Sequence, residues 1–364
     1  MPASPNADRP PRRTVRAGAL ALACLAIAPL TGCTGASGSS AGCERSAIPD
    51  HAADTIVIEG DPWSGYAAFR DEHLLDGSGY TALYVEQLCQ EARAADLTAG
   101  RAGIVVTTLD QYVLQHPEGT VVGVIDQSQG ADALVLNTLA VPYLTSVDDL
   151  HRLVDAFGQT GRKPVLAYTG SSPSEMLLNE LANTTDELRL SDFELVSVDQ
   201  SSTAYQMLQD DAAQLAVVWE PDTSRAGAAG YTIALTSEQV PDSIVDVIVA
   251  GNDLIARAPG AVQAVVRSYY ARMDTYLARP GDLEALIAAD GGLEPAAARS
   301  VIEGIKLYGT RDADVFMNER VFPLDQPQVV QSVNAISSVL ALAHPDVRPD
   351  AAEVDGRYVR ELAQ

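Results

Sequence analysis

The sequence predicts an α/β fold with two lobes and a helical C-terminal part. Strand-like and helix-like segments alternate between Thr55 and Leu114, which is typical of α/β proteins. Within Gly123–Leu136, a buried strand breaks at Asp126–Gly130 and resumes as Ala131–Leu136. We expect this segment to carry the chain from one lobe to the other, because the polar break exposes backbone groups where the chain can cross. It would also line the cleft between the lobes.

Residues 1–32 are expected to be a signal peptide and not part of the fold. Four arginines precede the apolar run Ala19–Leu30, which is too short for an ordinary membrane span. The run ends in Leu30-Thr31-Gly32-Cys33, which resembles the bacterial lipoprotein box. The resemblance implies cleavage before Cys33 and lipid on its thiol. An ordinary signal peptide or an uncleaved anchor is the alternative.

The composition indicates a folded domain on a tether outside the cytoplasmic membrane. Thr34–Gly42 is rich in Ser and Gly, so residues 33–53 are assigned as a flexible tether. The formal net charge of −25 argues against nucleic-acid binding through a basic face. We expect a monomer that is anchored to the bacterial cell membrane by the lipid on Cys33.

The cysteines allow one disulfide in the exported chain. Cys24 leaves with the leader and Cys33 would carry lipid, so Cys43 and Cys89 remain. An exported location permits a disulfide between them, and one buried and one free thiol is the alternative. The five histidines are scattered and no CxxC occurs, so neither a metal site nor a cofactor is expected.

Motifs for common enzyme chemistry are missing from the sequence. No GxSxG elbow, GxxxxGK[ST] or GxGxxG follows a predicted strand, where a serine nucleophile or a phosphate loop would stand. Gly170-Ser-Ser-Pro-Ser does not fit the elbow pattern. We therefore do not expect an enzyme.

The first lobe begins with a strand over Thr55–Gly60 and a turn over Asp61–Tyr66. Trp63 and Tyr66 in this turn could stack on a ligand or pack against a neighbouring helix, which is predicted over Tyr66–Leu75. A helix over Cys89–Leu97 and a strand over Ala102–Thr107 follow. The next helix, Thr108–Leu114, has Thr107 or Thr108 as its cap, although the same hydroxyls could donate to a ligand.

The second lobe contains a helix whose N-terminus follows a predicted strand. The strand covers Val165–Tyr168, and Ser172, Pro173 and Glu175 then give the pattern of a capping box. A helix N-terminus at such a place suits a small polar or anionic group. A well-capped helix without a ligand is the alternative.

The remaining segments complete both lobes. The predicted strands are Phe193–Val198, Ala213–Trp219, Tyr231–Leu235 and the return strand Asp246–Ala250, and the predicted helices are Ser146–Phe157, Ser201–Asp210, Pro259–Ala278, Asp282–Ala289, Glu294–Ile305 and Gln326–Leu342. These segments assign residues 54–132 to lobe 1, 133–248 to lobe 2 and 249–364 to the second part of lobe 1. The Thr310–Phe322 segment and the acidic tail have no clear place.

The chain resembles a family of solute-binding proteins. The likeness lies in Asp61-Pro-Trp-Ser-Gly-Tyr66, Asp126-Gln-Ser-Gln-Gly-Ala-Asp132, Gly170-Ser-Ser172, Val217-Val-Trp-Glu-Pro221 and Asp253-Leu-Ile-Ala-Arg-Ala-Pro259. It is similar to the substrate-binding lipoproteins of ABC importers, in the nitrate, sulfonate, taurine and thiamine-precursor group. The resemblance covers roughly residues 54–310 and implies the type II periplasmic-binding-protein fold. It also implies capture of a small molecule between the lobes and delivery to an ABC permease. A sensory or partner-binding protein on the same fold is the alternative.

The loops expected in the cleft carry carboxylates, hydroxyls, amides and aromatic rings, but no Lys or Arg. Asp126 and Glu220 suit a donor-rich, zwitterionic or cationic ligand, on which Trp63 or Trp219 could stack. Both acids could instead bind backbone N–H groups at strand ends. The predicted ligand-binding residues are Trp63, Ser64, Tyr66, Thr107, Thr108, Asp126, Ser128, Gln129, Ser171, Ser172, Trp219 and Glu220.

Overall fold

Two mixed β-sheets with flanking helices form the protein, so the predicted α/β class is confirmed. The computed structural model describes residues 45–344, residue 347 and residues 352–364. The predicted signal peptide, Cys33 and most of the predicted tether lie outside the described residues. The helices in the described part are too short or too polar to cross a membrane.

The first sheet contains six strands in the order β11-β4-β10-β3-β1-β2. They are β1 Thr55–Gly60, β2 Thr81–Glu86, β3 Ile104–Thr108, β4 Gly119–Ser128, β10 Val245–Gly251 and β11 Ile305–Leu307. The first three strands are parallel, whereas β10 runs antiparallel to both of its neighbours. Every residue of β3, β4 and β10 is buried, as expected for strands that are covered on both faces.

The second sheet contains five strands in the order β7-β6-β8-β5-β9. They are β5 Asp132–Leu136, β6 Val165–Thr169, β7 Glu194–Val198, β8 Leu215–Trp219 and β9 Thr232–Thr236. β6 is parallel to β7 and β8, and β5 is antiparallel to β8 and β9. The chain passes from the first sheet to the second between β4 and β5, and returns between β9 and β10.

Helices follow most strands and cover the sheets. They are α1 Gln90–Thr98, α2 Leu109–Gln115, α3 Leu150–Gly158, α4 Pro173–Thr184, α5 Ser201–Gln209, α6 Asp222–Ala229, α7 Asn252–Arg257, α8 Pro259–Ala278, α9 Pro280–Gly291, α10 Pro295–Glu303, α11 Thr310–Asn318, α12 Gln328–Ala343 and α13 Arg357–Ala363. Apolar residues recur along one face of α8, where Val262, Val266 and Tyr269 are buried against the first sheet.

Each sheet has its own apolar core. The first core combines β1, β3, β4 and β10 with residues of α8, α11 and α12. Two further clusters cover the faces of the second sheet. Met176 of α4 belongs to the first core, although its helix follows a strand of the second sheet. Helix α4 also packs against α2 and α12, so the two halves of the protein are in direct contact there.

Several predicted elements differ in the structure. The predicted helix Glu294–Ile305 ends at Glu303, because Ile305 pairs with Ser128 as the first residue of β11. Asp126 and Ser128 are part of β4, so the predicted break at Asp126–Gly130 shortens to three residues, because Asp126 and Gln127 both pair with β10. The predicted helix Tyr66–Leu75 is a 3-10 helix over Ser64–Phe69 that is followed by turns. The predicted helix at Gln326 begins two residues later, at Gln328.

One predicted lobe boundary does not coincide with the end of a strand. The predicted boundary between residues 248 and 249 falls inside β10, all of which pairs within the first sheet. An uninterrupted apolar run from Val247 to Ala250 gives the sequence no signal for a boundary. The division into lobes stays a prediction.

The C-terminal segment packs on the first sheet. Val121 of β4 donates its N–H to Glu353 O at 2.8 Å and accepts from Asp355 N at 2.9 Å. Helix α11 contacts α12 and α13, and the strands Arg320–Val321 and Gln326–Pro327, labelled β12 and β13, form a hairpin beside them. The sequence left Thr310–Phe322 and the acidic tail unassigned, and the described residues of both pack beside the first sheet.

Candidate functional site

A cavity of about 460 Å³ lies between the ends of the strands of the two sheets. From the first sheet it is lined by the loop after β1, by the ends of β3 and β4 and by the start of β10. From the second it is lined by the start of β5 and by the segments that follow β6, β7 and β8. Open α/β sheets bind ligands at this edge, because loops converge there and helix N-termini point toward it.

Asp246 and Tyr66 form the buried floor of the cavity on the first sheet. Asp246 is the second residue of β10, and its Oδ1 accepts a hydrogen bond from the Tyr66 hydroxyl. Burial, and then the neighbouring Asp126, raise the pKa of Asp246 well above its ordinary value. Asp126 lies behind this floor with no exposed surface, and burial raises its pKa to about 7. Asp246 in the floor and Asp126 behind it are therefore two adjacent carboxyl groups that resist ionisation.

Asp132 is the matching buried acid at the start of the second sheet. Its Oδ2 accepts from the Ser128 hydroxyl at 2.5 Å, and Ser128 also contacts the hydroxyl of Ser237 at 2.7 Å. Burial raises the pKa of Asp132 to about 7, and Asp126 contributes to the shift as a nearby negative charge. Asp132 and Ser128 stand on either side of the passage between the two sheets.

Two helix N-termini of the second sheet, those of α4 and α6, lie at the cavity, and each has an acidic partner. At α4, Ser172 Oγ accepts from Ser174 N at 3.1 Å, and Glu175 accepts from Ser171 N at 2.9 Å. Ser172 therefore caps the helix as predicted, but Glu175 binds Ser171 and not Ser172, so the reciprocal capping box does not form. The positive φ of 48° at Ser171 turns its N–H toward Glu175.

Glu220 performs the same task at α6. Its carboxylate accepts from the Ser224 N–H at 3.1 Å and from the Ser224 hydroxyl at 2.7 Å. This is the structural alternative that the sequence offered for Glu220. Asp222 accepts from Ser201 Oγ at 3.0 Å, and Ser201 Oγ in turn accepts from Trp219 N at 3.1 Å. Trp219 is thereby fixed at the end of β8 and lines the cavity.

Arginines that the sequence did not associate with the cleft reach the cavity. Arg93 of α1 is buried and donates to Asp61 Oδ2 and to Val106 O, both at 2.9 Å. Arg70 donates to Asp290 Oδ1 at 2.6 Å and to Trp63 O at 2.9 Å. Arg225 donates to Asp222 Oδ1 at 2.9 Å. Each guanidinium that lines the cavity is therefore paired with a carboxylate.

Nine of the twelve predicted ligand-binding residues line the cavity. They are Trp63, Ser64, Tyr66, Thr108, Ser128, Ser171, Ser172, Trp219 and Glu220. Thr107 faces away, since its hydroxyl donates to Gln90 at 3.0 Å and borders a separate small cavity. Asp126 is buried behind Asp246, and Gln129 is not among the lining residues. Thr108 is the N-cap of α2 but makes no side-chain capping bond.

Several lining residues were not predicted from the sequence. They include Arg70, Glu86, Arg93, Asp132, Thr169, Asp199, Arg225, Asp246 and Asp290. A signal existed for Asp132 and Asp246, because each is an acid at the first or second position of an otherwise apolar strand. No local signal marks Asp290, which reaches the cavity from the end of α9.

Cys89 at the N-terminus of α1 is disulfide-bonded. Its sulfur also accepts from Ala92 N at 3.4 Å. Cys43, the predicted partner, lies outside the described residues, so the pairing of Cys43 with Cys89 stays a prediction.

Solved structures share this fold. The alkanesulfonate-binding protein SsuA from Xanthomonas axonopodis, bound to MOPS, superposes with a TM-score of 0.62 at 14% identity, covering 85% of this chain and 100% of its own. A ligand-binding component of an ABC-type import system from Staphylococcus aureus, with zinc bound, matches with a TM-score of 0.62 at 14% identity. That match covers 84% of this chain and 98% of the other. The fold is therefore that of the type II periplasmic binding proteins, as predicted.

An enzyme has the same fold. The desulfurization enzyme DszB matches with a TM-score of 0.55 at 13% identity, covering 85% of this chain and 98% of its own. At such identities the likeness establishes the fold and does not separate binding from catalysis.

Sequence comparison identifies the family. A comparison with curated protein sequences gives no significant match. A family model described as NMT1/THI5 like matches residues 94–282, which are 189 of the 364 residues. The matched region runs from α1 to α9 and includes the whole second sheet and both passages of the chain between the sheets. The chain belongs to the NMT1/THI5-like family.

Proposed function

We propose that this protein is an extracytoplasmic solute-binding lipoprotein that delivers a small polar organic molecule to an ABC importer. The observation that carries the proposal is the cavity between the two sheets, which is lined by side chains from both. A volume of about 460 Å³ falls within the range of small-molecule sites in proteins. Hydroxyls, carboxylates and two tryptophans line it, and such groups orient and cover a polar solute.

The relatives support the transport role. SsuA is named as an alkanesulfonate-binding protein, and the Staphylococcus aureus protein as the ligand-binding component of an ABC-type import system. In a two-lobed protein, closure of the lobes on the solute gives a permease a shape that differs from the empty form. Attachment of lipid to Cys33 would keep the protein close to a permease in the same membrane.

A catalytic role has less support in the site. A serine hydrolase needs a nucleophile, a base and a residue that orients the base. Three of the six serines at the cavity bind other groups, since Ser172 caps α4, Ser201 binds Asp222 and Ser128 binds Asp132, and histidine, the usual base, does not occur among the lining residues. The sensory or partner-binding role stays the second candidate, because the cavity alone does not identify a permease.

A solute screen on the purified protein tests the binding function. Native mass spectrometry first identifies any small molecule that co-purifies, and a thermal-shift screen of amines, alcohols, amino acids and sulfonates follows. We expect at least one solute to raise the melting temperature, and Ser128→Ala, which removes a cavity hydroxyl, to weaken that solute's effect. Failure of every solute would contradict the proposal. The transport role is tested in two steps: a permease and an ATPase should be encoded beside this gene, and the solute-loaded protein should stimulate that ATPase.

A further inference from the structure

Acidic side chains outnumber basic ones around the cavity. Eight carboxylates and three guanidinium groups line it, and lysine and histidine do not occur among the lining residues. Three of the carboxylates are those paired with the arginines, namely Asp61, Asp222 and Asp290. The other five carboxylates that line the cavity, those of Glu86, Asp132, Asp199, Glu220 and Asp246, have no paired cation among the described residues. The cavity therefore offers an anion only arginines that are already paired, and offers a cation five carboxyl groups without a paired cation.

At two helix N-termini beside the cavity, those of α4 and α6, N–H groups that could hold a small anion are bound to the protein itself. The helix α4 lacks an N–H at Pro173, and the next two, at Ser174 and Glu175, bind the hydroxyl and the carbonyl of Ser172. The N-terminus of α6 donates to the Glu220 carboxylate through Ser224. The positive end of each helix dipole therefore faces a carboxylate of the chain itself, which reduces its attraction for a sulfonate or phosphate.

Two buried carboxyl groups and one buried hydroxyl at the cavity have oxygen atoms that are free to accept further hydrogen bonds. Asp132 and Asp246 are 5% and 4% exposed, and both line the cavity. The hydroxyl of Thr169 is buried at the same cavity and has no hydrogen-bond partner within the described part of the chain. A buried hydroxyl without a protein partner points to a ligand group that completes it.

Two indole rings at the cavity also favour an organic cation. Trp63 and Trp219 line the cavity, and an indole face attracts an organic cation by a cation–π interaction. A metal cation fits the donor set less well, because no group of three or more His, Cys, Asp or Glu side chains in residues 45–344, 347 and 352–364 could hold one. An organic cation needs no such coordination shell.

We propose that the ligand is a small organic cation, such as a protonated amine or amidine, that places its charged group against Asp132 and Asp246. This inference rests on the proposed function and names its substrate class. The two carboxylates compensate for the hydration that the charged group of the ligand loses on leaving water. The indole rings cover its apolar part. The relatives named for sulfonates would share the fold with this protein but not the sign of the charge they bind.

Matched probes with one skeleton and different head groups test this class. Benzylamine, benzamidine, benzyl alcohol and phenylmethanesulfonate, together with the cyclohexylmethyl analogues, are titrated calorimetrically into the purified protein at pH 8. We expect the amine or amidine to bind at least tenfold more tightly than the alcohol, and the sulfonate to bind least. A sulfonate that binds as well as, or better than, its amine would overturn the inference.

Site variants link the preference to the named residues. Asp132→Asn and Asp246→Asn should each weaken binding of the preferred cation at least tenfold. Asp210→Asn, at the exposed end of α5, is the matched control and should leave it unchanged. Because one variant could lower stability, the melting temperature of each is measured first, and the outcome is decided on whichever variant melts within a few degrees of the wild type.

Removal of a positive charge from the cavity, at Arg225, tests the same preference from the other side. It is 49% exposed, and only its Nη1 is bound to Asp222, so it is the arginine at the cavity best able to bind an anion. For a cationic ligand, Arg225→Gln should leave the affinity unchanged or raise it, and a loss of more than tenfold would overturn the inference. If neutral or anionic probes bind and cations do not, the substrate class fails and the binding function stands. If no probe of any charge binds, both fail.

Discussion

The two adjacent acids at the cavity floor act on stability as well as on binding. Asp126 is fully buried beside Asp246; burial raises the pKa of both carboxyl groups, and the charge of Asp126 raises the pKa of Asp246 further. A carboxyl whose pKa is raised in the folded state binds more protons there than in the unfolded chain. The contribution of Asp126 to stability is therefore fully present below its ordinary pKa of 3.8 and is lost as the pH rises to the folded-state pKa of about 7.

The ligand-free protein should accordingly melt at a lower temperature at pH 8 than at pH 5.5. Asp126→Asn keeps the shape of the neutral carboxyl but cannot ionise, so we expect it to melt at a higher temperature than the wild type at pH 8. The difference between the two should shrink as the pH falls and nearly vanish at about pH 4, where the carboxyl is neutral in the folded state and about half protonated in the unfolded chain. The measurement is calorimetry across this pH range, with Asp210→Asn as the control. An unchanged pH dependence in Asp126→Asn would refute the assignment.

Some site residues could be predicted from their place in the sequence and others could not. Trp63 lies in the loop after β1 and Trp219 is the last residue of β8, where side chains of a parallel sheet meet at one edge. Arg70 and Arg93 lie on segments that look like ordinary exposed helix, and only the packing of α1 and the 3-10 helix over Ser64–Phe69 brings them to the cavity. The expectation of a cleft without arginine was therefore wrong, although the three arginines are paired with acids.

At the scale of single elements, α4 shows how local chemistry determines a helix end. Ser172, Pro173 and Glu175 predicted the N-terminus correctly, because Ser172 accepts from Ser174 and Pro173 needs no acceptor. The partner of Glu175 could not be predicted, since it depends on the left-handed conformation of Ser171. The end of β4 was missed for a similar reason, because the pairing of Asp126 and Gln127 with β10 overrides their low strand propensity.

The cap of α4 has a measurable effect on stability. Ser172→Ala removes the acceptor of Ser174 N and the donor to Thr169 O, so we expect it to lower the free energy of unfolding by about 1 kcal/mol. The matched control is Ser338→Ala in the exposed middle of α12, where the hydroxyl only donates back to Asn334 O. Urea denaturation monitored by circular dichroism compares the two. Equal losses in both variants would show that the cap is unimportant.

For the whole molecule, the order of the elements carried more information than any motif. A broken apolar strand and a later return strand predicted two sheets joined by two passages, and the structure has both. The C-terminal packing was not predictable, because α11 to α13 and the bridge of Val354 to Val121 join segments far apart in the sequence. The contact of Met176 with the first core likewise depends on how the two halves meet.

The central claim is that a solute binds in the cavity between the sheets, and the chain contains a direct reporter of it. The sequence has two tryptophans, Trp63 and Trp219, and both line that cavity. The decisive measurement is therefore intrinsic tryptophan fluorescence during titration with the solute that most stabilises the purified protein. We predict a saturable change in emission that has the same midpoint as the calorimetric titration, and a weaker affinity in Trp219→Ala. A solute that stabilises the protein without altering the emission of either tryptophan would bind elsewhere and would contradict the account.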